Sequence, residues 1–362
     1  MKSKKHSKVT LIQQALLPWF YEHKRGMPWR KNRTAYRVWI SELMLQQTRV
    51  SQATPFFIHF MKKFPSIKRL AQASQEEVLK AWEGLGYYAR ARNAHKSAKM
   101  IHSEYNGRFP TDPQLIEKLP GIGPYTTAAI ASLAFNQCLA VVDGNVIRVL
   151  ARLFAYPNEI QSQEAKKWFQ DKANSLLEKE TPGDWNEAIM ELGALVCLPK
   201  NPQCDVCPLN THCSAFKKHN PLSFPVKKPK KKTPCYEVGA GVVQNEIGEV
   251  LIAQRAEHQM LGGLWEFPGG KVNENESIKA CIERELVEEI GIQVTCTLFL
   301  VRVKHAYSHF SIDMQVYMAR HVSGTPSPII PQQVKWETVE RLRRYPFSKA
   351  DIKIIEALEK SI

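Results

Sequence analysis

The chain has 362 residues, 44% of them hydrophobic, and a formal net charge of +15, which gives room for two domains and, with a pI near 9.4, suits a polyanionic partner. No stretch approaches the roughly 18 apolar residues of a membrane span, and the basic segment Met1 to Lys8 lacks the apolar core of a secretory signal. Eight cysteines in a chain of this length do not suggest a disulfide scaffold, so the expectation is a cytoplasmic, nucleoid-associated monomer of bacterial type.

From Val9 to about Glu191 the apolar spacing is helical. Leu11, Ala15, Trp19 and Phe20 share one face, Val38, Leu43 and Met44 lie in a second stretch, and the alanine-rich Ala128 to Phe135 forms a third. Alternating runs are few, which makes this half all-α. A cysteine-rich loop follows, and then Lys217 to Pro234, dense in Lys and Pro, reads as a linker of polyproline II character. Its lysines either touch phosphates or merely keep the linker solvated. From Tyr236 the rhythm changes to strand, turn and strand, with the turn at Asn245 to Gly248. A helix is expected from about Ser277 to Ile290, strands near Leu298–Lys304 and Ile312–Ala319, and a last helix over Lys349 to Glu359. The architecture expected is multidomain: an all-α domain over 1–216, a basic linker over 217–234 and an α+β domain over 235–362, with no internal repeat.

Three motifs in the first half carry chemistry. In LPGIGPYTTAAI, Leu119 to Ile130, Gly121 and Gly123 allow a tight hairpin that opens a helix near Tyr125. Backbone N–H groups at such a helix N-terminus offer a site for one phosphate; an ordinary glycine turn is the plain alternative. The hairpin resembles the helix-hairpin-helix motif, which grips a DNA strand without reading sequence. About twenty residues later, VVDGNVIRVLAR places Asp143 at a helix entry, where an aspartate is commonly a simple N-cap. Cys197, Cys204, Cys207 and Cys213 then cluster within one loop. Four thiolates most often hold zinc, and the spacing differs from ferredoxin runs.

Taken in order, these motifs resemble the helix-hairpin-helix DNA glycosylases, and the cysteine spacing resembles the [4Fe-4S] loop of their endonuclease III-like members. MPWR at Met27 to Arg30, WISELMLQQTRV at Trp39 to Val50 and GLGYYARARN at Gly84 to Asn93 look like the adenine DNA glycosylases of the MutY type. That resemblance implies a base-excision repair enzyme that hydrolyses the N-glycosidic bond of adenine mispaired with 8-oxoguanine or guanine in double-stranded DNA. Breaking this bond builds negative charge on the base and positive charge on the sugar, so an acid and an anion are both needed, as in glycoside hydrolysis. The resemblance implies that Glu42, an acid inside an apolar helix where its pKa should rise, protonates the base. Asp143 would stabilise the oxocarbenium ion, with a transient covalent adduct as one route, and Asn145 and Tyr125 would support the site. It further implies an adenine pocket of Arg25, Trp29, Arg30, Leu45, Glu187 and Met190, with Glu187 accepting from the exocyclic amine of a flipped base. Gln46, Gln47, Thr48 and Tyr87 would fill the emptied stack. Related bifunctional lyases carry a lysine where this chain has Tyr125, and a tyrosine forms no imine. The rival readings are an endonuclease III-like glycosylase/lyase and a non-catalytic lesion-binding protein.

The second half contains a complete Nudix box from Gly270 to Ile292. Glu285, Glu288 and Glu289 fall at i, i+3 and i+4 and share a helix face, a candidate magnesium site. The C-terminal domain of adenine glycosylases resembles the MutT-type Nudix fold and serves to recognise 8-oxoguanine. The intact box leaves two readings: a relic whose glutamates pair with Arg284, or a second active site hydrolysing 8-oxo-dGTP. Tyr307, Ser308 and His309 resemble the family's Phe-Ser-His loop that inspects oxidised guanine, with a tyrosine in place of phenylalanine.

Overall fold

The computed structural model describes residues 7–229 and 233–361. The start of the basic N-terminal segment and lysines 230–232 of the expected linker therefore lie outside the described residues. The described residues form two compact units, one within 7–62, 66–68 and 97–229, the other within 63–65, 69–96 and 233–361.

Helices build the first unit. Along the chain they are α1 (Lys8–His23), α2 (Ala35–Leu45), α3 (Val50–Lys63), α4 (Ile67–Gln72), α5 (Gln75–Trp82), α6 (Ala89–Glu104), α7 (Pro113–Glu117), α8 (Pro124–Phe135), α9 (Gly144–Phe154), α10 (Gln163–Leu176), α11 (Pro182–Leu195) and the short α12 (Ser214–Lys217), with α5 and parts of α4 and α6 belonging to the second unit. The α1 stripe differs by one position from the sequence expectation: Ile12, Leu16 and Phe20 are buried, whereas Leu11 is 39% exposed. Spacing of four residues turns one face toward α9, α10 and α11, and Leu11 lies at its solvent edge while Ala15 and Trp19 are half-buried at the border. Helix α2 is buried on nearly every side from Ala35 to Met44, the pattern of a central helix, and it packs on α8. This central placement is what takes Glu42 out of water. Helix α11 comes close to the start of α9: a Cβ on Gly193 would stand 2.7 Å from the Asn145 Cβ, so glycine is needed for that approach.

The segment after the cysteines is more ordered than a free linker. Arg152 Nε donates to the carbonyls of Pro221 at 3.0 Å and Phe224 at 3.1 Å, and Ile160 N donates to Val226 O at 3.1 Å. A buried guanidinium that needs acceptors thus fixes the first part of the Lys/Pro stretch onto the helices.

The second unit is a mixed sheet between helices. Its strands are β1 (Cys235–Gln244), β2 (Val250–Gln254), β3 (Trp265–Glu266), β4 (Gly269–Lys271), β5 (Gln293–Ala306), β6 (Ser311–Ser323) and β7 (Gln333–Glu337), with helices α13 (Ile278–Ile290), α14 (Val339–Leu342) and α15 (Lys349–Ser361). The order is β3-β2-β1-β6-β5, with β4 on β1 and β7 on β2. Strand β1 runs parallel to β6 from Cys235 opposite Ser311 to Gln244 opposite Arg320. Helix α13 covers one face through Ile282, Leu286 and Ile290; the other face packs Ile354, Ile355 and Leu358 of α15 around Val242, Val316 and Phe347. The helical stretch of this unit joins the sheet through polar bonds. The Tyr88 hydroxyl donates to Phe347 O at 3.2 Å, Phe347 N to Glu83 at 2.9 Å, and Trp265 Nε1 to Glu76 at 2.8 Å. Strands β5 and β6 extend beyond the stretches expected from sequence: at the start of β5 the alternation of buried Val294 and Cys296 with exposed polar residues pairs with the polar end of β6 over Arg320–Ser323.

Candidate active site

A cleft of about 1030 Å³ opens in the first unit between α2, the starts of α8 and α9, and α11, room enough for a nucleoside. Twelve of the residues singled out from sequence line it: Arg25, Trp29, Arg30, Glu42, Leu45, Gln46, Gln47, Thr48, Tyr125, Asp143, Asn145 and Met190. These positions come from five separate stretches of chain, and only the packing of α2 on α8 and of α11 on α9 brings them together.

Glu42 is 6% exposed. The Tyr125 hydroxyl donates to its Oε2 at 2.6 Å. Burial raises its pKa to about 7, with the nearby Asp143 and Glu187 carboxyls adding to the rise while Tyr125 and Arg30 oppose it. Asp143 caps α9: its Oδ1 accepts from Val146 N at 2.7 Å and its Oδ2 from Asn145 Nδ2 at 2.8 Å. The plain N-cap reading of this aspartate is therefore correct as far as it goes, but the same carboxyl also faces the cleft. Burial raises the Asp143 pKa and these hydrogen bonds hold it back. The phenol of Tyr125 is raised well above its usual value, by burial and then by the two carboxyls, so it stays a neutral donor.

The opposite wall is an ion ladder. Asp184, Glu187 and Glu191 stand at i, i+3 and i+7 of α11. Glu191 accepts from Arg25 N, Nε and Nη2, each at 2.8 Å, and from Arg30 Nη1 and Nη2 at 3.3 and 3.1 Å. Glu187 accepts from Arg30 Nε at 2.9 Å and from Arg33 Nη2; it is 5% exposed and near enough to Glu42 for the two carboxyls to interact. Burial acts upward on Glu191, yet the two guanidiniums outweigh it and bring its carboxyl to about 2. Glu191, Arg33 and Asp184 were not singled out from the sequence. The acidic spacing on α11 was the available signal, but its arginine partners lie more than 150 positions away, and nothing local marks the pairing.

Gly121 adopts φ 76° in the hairpin, and Gly123 begins α8 with no side-chain cap, which leaves the first backbone N–H groups of that helix open to an anion. Gln47 and Tyr87 have left-handed backbones, at φ 58° and 51°, a strained state for side chains of this size that clusters at functional positions. Within the second unit the Tyr87 and Ser308 hydroxyls are hydrogen-bonded. Ser308 and His309 are exposed, whereas Tyr307 is half-buried against His305 and Phe310 and anchors its loop.

The four cysteines of the 197–213 loop form no disulfide and line one cavity with Arg152. Burial pushes the Cys207 thiol up to about 12, with the other thiols adding to the rise and a backbone hydrogen bond at Leu209 opposing it, and Arg152 Nη1 donates to Cys197 Sγ at 3.3 Å. Crowded sulfurs that face a cation and a shared cavity fit a bound iron–sulfur group. From the same helix, Arg148 joins the loop to the site, donating to Cys197 O, to Asn145 Oδ1 and to Gly193 O at 2.8, 2.8 and 2.6 Å. The candidate magnesium site fares differently. Arg284 pairs with Glu276, Glu285 and Glu288, Glu289 is half-buried beside Arg255 with its pKa raised to about 7 by burial and its neighbouring glutamates, and no three His, Cys, Asp or Glu side chains among the described residues are gathered as one ion requires. The helix periodicity put three carboxylates on one face correctly; the arginine between them takes two. Among the described residues no helix is long and apolar enough to cross a membrane.

The helical unit with its glycine hairpin and two cleft carboxyls, and the mixed sheet that follows it in the chain, each match a known family. Residues 40–175 match the HhH-GPD superfamily base excision DNA repair protein model, and residues 239–357 match the NUDIX domain model. Adenine DNA glycosylases of Rattus norvegicus and Homo sapiens are 33% and 32% identical, over 97% and 98% of this chain and 78% and 75% of theirs. One of Buchnera aphidicola is 41% identical over 72% of the chain and 75% of its own length. A thermostable thymine-DNA glycosylase structure matches at TM-score 0.54 with 28% identity, covering 58% of this chain and 97% of that one, and an endonuclease III–DNA complex shares the fold at TM-score 0.50, with 22% identity over 59% and 98%. The chain belongs to the adenine DNA glycosylase family.

Proposed function

We propose that the chain hydrolyses the N-glycosidic bond of adenine opposite 8-oxoguanine or guanine in duplex DNA, and that it is monofunctional, leaving an abasic site. The observation that carries this reading is the pairing of Glu42 with Tyr125 in the same cleft as Asp143. A carboxyl whose pKa lies at about 7 is still protonated in part at neutral pH, and can deliver its proton to a ring nitrogen of adenine as the bond breaks. Asp143, held by Asn145 and the α9 N-terminus, supplies the anion that the developing oxocarbenium ion needs. Trp29, Leu45 and Met190 give the flipped base an apolar slot, Arg25 and Arg30 fix its rim, and Glu187 accepts from the exocyclic amine. Gln46, Gln47 and Thr48 occupy the vacated stack, and the Gly121–Gly123 hairpin holds a phosphate of the flipped strand.

Cys197, Cys204, Cys207 and Cys213 would hold a [4Fe-4S] cluster, which when bound supplies iron–thiolate bonds that fix their loop. We take residues 1–216 as the catalytic domain and 235–362 as the half that reads the lesion, through Ser308 and His309 on a loop anchored by Tyr307. The test is adenine release from duplexes carrying A opposite 8-oxoguanine, G, C or T, with strand nicking scored before and after alkali. Release from the first two, with nicks only after alkali, is the expected outcome. Equal release from A opposite T, or nicking without alkali, overturns the reading.

A further inference from the structure

The ion ladder on α11 continues past the cleft. Glu187 has two carboxylate oxygens, and each is engaged: Oε1 by Arg30 Nε at 2.9 Å and Oε2 by Arg33 Nη2. Arg33 does not line the cleft. Its other terminal nitrogen donates to Asp184 Oδ1 at 2.7 Å, and Asp184 Oδ2 in turn accepts from the Tyr21 hydroxyl at 2.9 Å. A carboxylate oxygen has two acceptor directions, so each Glu187 oxygen keeps one after its arginine is bound. The direction left over is fixed only while both arginines hold.

Arg30 alone does not fix it. Its fork is shared with Glu191, to which Nη2 donates at 3.1 Å, and without a second tether Glu187 is free to turn and meet that fork with both oxygens, the bidentate geometry that carboxylates favour. Such a turn withdraws the free acceptor directions from the base. Arg33 is the group that prevents it.

We propose that Arg33 is a positioning residue for base selection: it holds Glu187 so that a free acceptor direction meets the exocyclic amine of the bound adenine, and Asp184 and Tyr21 hold Arg33. This rests on the reading of Glu187 as the amine acceptor given above. A purine without that amine makes no use of the acceptor, so the role is visible as selectivity rather than as overall rate.

The experiment measures single-turnover release of adenine and of unsubstituted purine from otherwise identical duplexes, each opposite guanine, with the full-length protein. Both rates come from one preparation of each variant, so a reduced folded fraction cancels in their ratio. Arg33→Gln is expected to lower the adenine-to-purine ratio by about tenfold, the size of one misplaced charge-assisted hydrogen bond. Arg33→Lys recovers part of the ratio, and Asp184→Asn, which loosens Arg33 without touching Glu187, shifts it the same way by less. An unchanged ratio in Arg33→Gln overturns the proposal. Glu187→Leu, which keeps no acceptor, separates the two layers: if it shifts the ratio while Arg33→Gln does not, the amine acceptor stands and the role of Arg33 falls. If neither shifts it, the reading of Glu187 fails and the proposal with it.

Discussion

The two walls of the cleft hold the same kind of side chain in opposite states. On one, Glu42 and Asp143 meet neutral donors: a phenol, an amide and a backbone N–H. Burial is not countered by a full positive charge in hydrogen-bonding reach, and both pKa values rise. On the other, burial also acts upward on Glu191, and on Asp184 where the ladder continues past the cleft, but Arg25 and Arg30 bind the first and Arg33 the second, and both fall below the usual range. The partner, not the residue type or its burial, decides whether the pKa of an acid here rises or falls. A wall that must move a proton is built without arginine, and a wall that must hold a base in register is built from it.

The comparison breaks most visibly at Glu42. Glu42→Gln keeps the shape and removes the transferable proton, so adenine release should fall by about 10²- to 10⁴-fold, the contribution of one general acid, while duplex binding persists. A rate within tenfold of wild type removes Glu42 from the mechanism. The same variant reports on stability with a definite sign. Glu42 has its folded pKa raised from 4.5 to about 7, so the fold favours its neutral form. That contribution is fully present below pH 4.5 and is lost as pH rises through about 7. Each pH unit between those two values corresponds to about 1.4 kcal/mol, which amounts to a loss on the order of 3 kcal/mol. Glutamine carries no charge to bury, so the Tm of Glu42→Gln relative to wild type should climb between pH 5 and pH 8. A difference independent of pH contradicts the raised pKa.

How much of this was legible beforehand differs between the walls. Glu42 and Asp143 each stand beside a local signal, an apolar helix in one case and a glycine-flanked helix entry in the other, and the α8 hairpin shows its glycines directly. The ion ladder has no such signal, because its acids lie on α11 and its arginines on the turn between α1 and α2, and charge pairs across such distances carry no periodicity. In the Nudix-type half, i, i+3 and i+4 spacing placed Glu285, Glu288 and Glu289 on one helix face, but spacing alone does not tell whether a metal or Arg284 sits among them. For α1 the face was misplaced by one residue because Leu11 and Ile12 are equally apolar, and only the neighbouring helices decide which of them is covered.

A smaller break is expected from Gly193→Ala. The added methyl meets Asn145 at 2.7 Å, and Asn145 orients Asp143. Displacing α9 by a fraction of an ångström misaims the carboxylate, with an expected loss of about ten- to a hundredfold in single-turnover rate and about 1–3 kcal/mol in stability from overpacking. Gly183, on the same helix but farther from the cleft, faces Ser132 O at 2.8 Å. Gly183→Ala should destabilise similarly with less loss of rate, so equal losses in both would show that the effect is global rather than aimed at Asp143.

The finest test concerns Tyr125, whose hydroxyl donates to Glu42. Its hydrogen bond favours the ionised carboxyl, so it holds the Glu42 pKa down against the upward effect of burial. Tyr125→Phe removes that restraint without adding charge, and the Glu42 pKa should rise further, by up to about one pH unit, the worth of a single hydrogen bond. In a pH–rate profile the wild-type rate declines as pH climbs through about 7, because the acid loses its proton. In Tyr125→Phe that alkaline limb should lie at higher pH, so the variant falls behind wild type least, and can overtake it, above pH 8. A limb displaced to lower pH would mean that Tyr125 stabilises the protonated form, and that Glu42 owes its high pKa to the phenol rather than to burial. The acidic limb, set by Asp143, should stay where it is, since Tyr125 donates to Glu42 and not to Asp143.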